Sequence, residues 1–188
     1  MQVASQHEAM LRTAEHETNN LSLVVSQGIN RTASDLDRIL KYLRSTYERN
    51  DYKVDWPKLV QEEFTANHQS VQIAIMDPKG MMITSTKMLY PETPVDLSDR
   101  EHYRAHLNTA EDRLFISKPM AGRASHQWSV QFTRRLRNAE GKFGGVVVIS
   151  LDPTYLTHAY VDVELGKTGG IALVGDDGVV RADGGIFK

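Results

Sequence analysis

Arg100, His102, Tyr103 and His106 fall within seven consecutive positions, on a segment that reads as a helix over residues 100–107 with Ser98 or Asp99 as its cap. A guanidinium beside a concave sheet can hold a carboxylate through two parallel hydrogen bonds, which makes Arg100 the leading candidate for a ligand clamp. Its ordinary alternative is a surface ion pair with Asp99 or Glu101. His102 could line the same pocket and make it respond to pH. Tyr103 is suited to walling a pocket and donating one hydrogen bond, and equally to packing the helix on a sheet. His102 and His106 also stand one helical turn apart, the spacing of two ligands on one metal. Neither the glutamate of a zinc-protease helix nor a clear third ligand accompanies them, so no metal is expected.

Three further residues join the candidate ligand contacts. Lys118 precedes Pro119 at a strand end and could add positive charge to the mouth of a pocket. Trp128 opens the following strand, with Ser129 and Gln131 on the face opposite Val130 and Phe132, and alternation alone leaves open whether Trp128 or Gln131 points inward. No catalytic set accompanies these residues: the serines lack nucleophile-elbow glycines and there is no phosphate loop. The chain is therefore expected to bind rather than to catalyse, and no cofactor is expected.

These side chains need a scaffold, and the chain spells one out. Residues 5–49 contain no proline and one glycine, Gly28. Leu21, Val25, Ile29, Ala33, Leu36, Leu40, Leu43 and Tyr47 recur every three or four positions, the stripe of one long helix. Such a helix would run on the order of 65 Å, so part of it should project and pair with a second copy as a dimer stem. Asp55-Trp56-Pro57 starts a second, short helix whose apolar side is Leu59, Val60 and Phe64. Residues 71–76 and 81–85 flank the turn Asp77-Pro78-Lys79-Gly80 as a hairpin. Strands follow at residues 114–118, 127–136 and 142–150, the last two joined by a tight turn at Asn138–Gly141. Val146 to Ile149 is apolar on both faces and belongs in the middle of a covered sheet. A helix over residues 154–160 then leads to a second hairpin, 171–174 and 179–181, turning at Gly175–Gly178.

Composition narrows the partners. Against 22 basic residues stand 24 acidic ones, a net charge of −2, so the molecule as a whole has no attraction for nucleic acid or anionic lipid. Arg134, Arg135 and Arg137 form the one dense basic stretch and read as a solvated strand rim. The absence of cysteine rules out disulfides and thiolate chemistry while leaving the compartment open. No run reaches the ~20 apolar residues of a membrane span, and residues 2–20 are too polar for a signal peptide. Any membrane anchor is expected in flanking sequence.

The element order resembles the PAS-like extracytoplasmic sensor called the Cache or PDC fold. The likeness sharpens at Asp99-Arg100-Glu101-His102-Tyr103, Phe115-Ile116-Ser117-Lys118-Pro119, Trp128 to Arg135 and Gly141 to Asp152. Over roughly residues 20–185 the chain is similar to the membrane-distal half of double-Cache ectodomains of bacterial histidine kinases and diguanylate cyclases. The resemblance implies an α+β fold: a PAS-like five-stranded antiparallel sheet, flanked by a long N-terminal helix and short helices, with the start of a second, smaller PAS-like domain. It divides the chain into a signalling and dimerisation helix (1–50), a membrane-distal ligand-binding domain (51–160) and the beginning of a membrane-proximal domain (161–188). It further implies a periplasmic position, a homodimer through the N-terminal helix and a small polar or carboxylate ligand contacted by Arg100, His102, Tyr103, Lys118, Trp128 and Gln131. Amino-acid-binding members place a tryptophan where this chain has His102 and an aspartate where it has Val148. That departure turns the expectation toward an anionic or neutral ligand. A dimerisation module without ligand, a cytoplasmic PAS or GAF domain with a bound cofactor, and a hydrolase on a related sheet are the rival readings.

Overall fold

The computed structural model describes residues 2–50, 53–56, 58–59, 70–88, 91–93, 95–109, 111–161 and 169–186. They fall into two units, Met1–Ser34 and Asp35–Lys188. The first unit is helical through its described residues, part of helix α1 (Gln2–Arg49), which is the single long helix that the three- and four-residue spacing predicts. In the second unit the same helix contributes Leu36, Leu40 and Leu43, all buried. At the expected second helix Asp55 accepts a hydrogen bond from Lys58 N–H at Oδ1 (3.2 Å) and one from Leu59 N–H at its carbonyl (3.0 Å). The remainder of that helix, with Val60 and Phe64, lies outside the described residues.

The sheet comprises β1 (Ser70–Met76), β2 (Met81–Ser85), β3 (Val95–Asp96), β4 (Phe115–Ile116), β5 (Met120–Ala121), β6 (Trp128–Arg137) and β7 (Phe143–Leu151). All pairings are antiparallel, in the order β3-β2-β1-β7-β6-β4, with β5 also pairing β6. The five expected strands form its body. Strands β3 and β5 add two two-residue edges, too short to leave an alternation pattern. As its two apolar faces require, β7 is central, between β1 and β6. The turns carry the expected chemistry: Asp77 Oδ1 accepts from Lys79 and Met81 N–H (2.8 and 2.9 Å), and Gly80 takes the left-handed φ of +86°.

The two sheet faces differ in what they bury. One carries Ile73, Ile75, Val130, Phe132, Val147 and Ile149, each 2% exposed or less. Arg134 projects from this same face to Asp37 of α1, which places the Asp35–Arg49 part of the helix over it. The other face carries Ala74, Met76, Val146 and Val148, clustered with Met82 and Tyr103. Helix α2 (Glu101–Arg104) and its following turn cover that face. Helix α3 (Pro153–Val161) meets a separate hairpin, β8 (Gly170–Val174) and β9 (Val180–Gly185), where Thr157 Oγ1–H donates to the Asp183 carbonyl at 3.0 Å. A two-stranded sheet needs such cover to persist in water.

The basic stretch corrects its sequence reading. Arg134 and Arg135 are buried, not solvated. Arg134 bridges Asp37 and Asp112, and Arg135 donates to the Thr109 carbonyl and lies 5.8 Å from the Phe143 ring centroid. Side chains on a strand covered from both sides are enclosed whatever their polarity, and partners 97 and 22 residues away made this possible for Arg134.

Candidate functional site

A cavity of about 40 Å³ lies between the sheet and the segment bearing α2. Its floor is polar across three strands: Gln72 of β1 pairs in register with Ser150 of β7, which pairs with Gln131 of β6. All three are buried. Both polar atoms of the Gln131 amide have partners, Oε1 accepting from Ser117 Oγ–H (2.7 Å) and Nε2 donating to Ser129 Oγ (2.8 Å). Beside this row the next register positions, Ala74 and Val148, together with Met82, make the floor apolar. The rim comes from Leu97, Arg100 and His102 on one side and residues 120–124 on the other.

Arg100 occupies the N-cap position of α2 without using its side chain as a cap. Its guanidinium donates to the Ala121 carbonyl (3.3 Å) and approaches Met120 Sδ (3.6 Å). Neither carboxylate expected to neutralise it does so. Asp99 takes two hydrogen bonds from Arg123 (2.6 and 2.7 Å), and Glu101 accepts from the Lys118 backbone N–H (2.6 Å). Among the described residues Arg100 has no ion pair. The expectation that Ser98 or Asp99 caps the helix is corrected by the same geometry, since Arg100 is the N-cap residue, no side chain bonds the cap and Asp99 is turned to Arg123.

His102 is 4% exposed, and its Nδ1 is buried with no hydrogen-bond partner among the described residues. Burial, reinforced by the charges of Arg100 and His106, pushes its imidazole down to about 4, so the ring is neutral at physiological pH. His106 is fully buried, its Nε2 2.9 Å from Thr133 Oγ1, and burial with the Arg135 charge likewise lowers it to about 4. The two histidines thus serve different neighbours: His102 borders the cavity, and His106 braces α2's following turn against β6.

The cavity gathers Arg100, His102 and Gln131. It does not gather the other three candidates. Tyr103 points into the core, its hydroxyl donating to the Pro78 carbonyl (2.7 Å) and its ring edge-on to Phe143 at 5.7 Å. On a helix one residue's rotation is enough to separate it from His102. Lys118 is exposed, with Nζ 3.9 Å from Asp177. Trp128 is 61% exposed and lies on the face opposite Gln131, bordering instead an open groove of about 500 Å³ with Pro119, Thr154 and Arg181. Sequence reasoning missed Gln72 and Ser150. A glutamine inside the apolar run Val71–Met76 was the available signal for the first.

No helix among the described residues is long and apolar enough to cross a membrane. A family model for the Cache domain matches residues 3–187. No curated protein matches the chain. Among solved structures, the extracellular domain of a protein described as a histidine kinase, rpHK1S-Z16, superposes with a TM-score of 0.75 at 27% identity, covering 89% of this chain and 70% of that one. The ligand-binding domain of the Pseudomonas aeruginosa PAO1 amino acid chemoreceptor PctC, in complex with GABA, gives 0.69 at 18% identity, covering 87% and 73%. That of the Pseudomonas fluorescens chemoreceptor CtaA, in complex with L-alanine, gives 0.70 at 18%, covering 89% and 70%. The last two likenesses establish shared fold alone.

Proposed function

The chain belongs to the Cache domain family, its structural neighbours include the extracellular domain of a histidine kinase and the ligand-binding domain of a chemoreceptor, and from that premise we propose how this one senses. It is the extracytoplasmic sensor of a bacterial transmembrane receptor, a histidine kinase or diguanylate cyclase, and it binds a small polar or carboxylate ligand in the cavity between sheet and α2. Residues 51–160 form the membrane-distal ligand-binding domain, residues 161–188 begin a membrane-proximal one, and residues 1–50 pair two copies as a helical dimer. One observation carries the reading: a guanidinium borders a cavity floored by Gln72, Ser150 and Gln131, and both neighbouring carboxylates are hydrogen-bonded elsewhere.

The ligand's carboxylate takes the place of those missing partners at Arg100. Gln131, on the cavity floor, and Arg134, bonded to Asp37 of α1, stand three residues apart on opposite faces of β6. A shift of β6 under a bound ligand therefore reaches α1 through a charged pair. Such a signal requires the ligand to prefer one of two packings, since equal affinity for both moves nothing.

The test compares wild type with Arg100→Ala in a thermal-shift screen of small carboxylates. A ligand at a hundred times its Kd stabilises by about 2.7 kcal/mol, or roughly 5–10 °C for a chain of this size. The expected result is a wild-type shift of that order for at least one acid, and none in a variant that unfolds at a similar temperature without ligand. Equal shifts in both proteins would remove Arg100 from recognition.

A further inference from the structure

We infer that the cavity selects a short carboxylate carrying a second oxygen function, hydroxyl or oxo, beside the carboxyl group and no ammonium, with His102 reading that oxygen. The inference rests on the carboxylate reading of Arg100 and narrows it to a chemical class.

Three observations on the cavity lead there. Among the described residues its lining contains no aspartate or glutamate, and its charged members are the two arginines, Arg100 and Arg123. An ammonium brought into this space would meet like charge from Arg100 with no carboxylate among the described lining residues to compensate, since Asp99 is already held in a two-bond fork by Arg123. An α-amino acid is therefore disfavoured where the same acid without its ammonium is accepted.

The second observation is the orphaned nitrogen. Of the buried side-chain polar atoms without a partner among the described residues, His102 Nδ1 alone belongs to a residue of this cavity. Gln131, by contrast, has both amide atoms satisfied within the protein. A neutral imidazole nitrogen accepts from a hydroxyl in one tautomer and donates to an oxo group in the other, so either function on the ligand meets its need. Arg100 and His102 both line this one cavity, so a short ligand held by the guanidinium lies in the space that the imidazole borders.

The third observation is size. At about 40 Å³ the space holds little more than one or two water molecules, and its wall at Met120 is a flexible, unbranched side chain. An acid of three or four carbons is accommodated by moving that side chain; a long or aromatic acid requires the segment 120–124 to be displaced.

The experiment is isothermal titration of the chain with four three-carbon acids that differ at one carbon: L-lactate, pyruvate, propionate and L-alanine. The inference expects lactate or pyruvate to bind at least tenfold more tightly than propionate and a hundredfold more tightly than alanine. It also expects His102→Leu to bring lactate, pyruvate and propionate within about twofold of one another. Alanine binding as tightly as lactate would overturn it while leaving a carboxylate site at Arg100 intact. Propionate equal to both oxygenated acids in the wild type, or an unchanged preference in His102→Leu, would remove His102 as the selecting group. Binding of none of the four overturns the inference, and the wider acid screen with Arg100→Ala then judges the carboxylate reading separately.

Discussion

An Arg134→Ala protein is expected to be about 3 kcal/mol less stable than wild type, the lower end of what breaking a buried ion pair costs. Arg134 is 6% exposed, while its partners Asp37 and Asp112 are 16% and 31% exposed. Removing the cation breaks the link that joins the two carboxylates to β6, leaving Asp37 paired with Lys41 and Asp112 with Arg44. Water reaching Asp112 screens part of the loss, which is why the lower figure applies. The bond from Arg44, supported by the charges of Arg44 and Arg134, holds the Asp112 carboxyl down at about 2. In the unfolded chain that group titrates near 3.9, so the unfolded state takes up the proton first as pH falls. The network's contribution is complete above about pH 5 and is lost as pH drops toward 2. Urea unfolding at pH 7 should give the full difference between wild type and variant, and the same measurement near pH 2.5 a smaller one. A pH 7 difference under 0.5 kcal/mol, within the usual range of a surface change, would show that the buried network does not brace the helix.

Gly145→Ala should cost at least about 3 kcal/mol, through a mechanism with no charge in it. Gly145 sits in central strand β7 at a φ of +122°, and an added Cβ would lie 2.1 Å from the Met76 carbonyl oxygen of β1. Backbone cannot yield as a flexible side chain can, so β1 and β7 must separate where they pair at Met76 and Val146. Gly141→Ala is the matched control: its φ is +72°, but none of the described residues stands within 4 Å of the added carbon. That variant should lose only the cost of the left-handed conformation, about 1–2 kcal/mol. Denaturant midpoints of the two variants measure the contrast, and equal losses would mean that the close approach at Met76 is relieved without cost.

The parts of this fold written in local patterns were legible, and those that depend on distant partners were not. The run of leucines at three- and four-residue spacing predicted α1, and the turn residues of Asp77–Gly80 predicted the first hairpin. Val146–Ile149, apolar on both faces, predicted the sheet's centre. The orientation of β6 was not legible, because both of its faces are buried from Ser129 to Leu136 and alternation carries no inward direction there. The sequence therefore offers Trp128 and Gln131 as equal candidates, and the structure puts Gln131 at the cavity and Trp128 on the opposite face. Arg134 looked like a solvated rim because its partners, Asp37 and Asp112, are remote in sequence. The paired histidines had a spacing that suited a metal; their actual separation of duties depends on Thr133, which no spacing rule connects to them.

The central claim is that ligand enters the cavity between sheet and α2 rather than the larger groove beside Trp128. Backbone amide shifts of the isotopically labelled chain, followed during titration with a carboxylate that stabilises it, test this directly. The account predicts that Arg100, His102, Gln131 and Val148 respond first and most, with the residues of the Trp128 and Arg181 groove unmoved. Changes centred on Trp128, Thr154 and Arg181, with Arg100 and His102 silent, would contradict it.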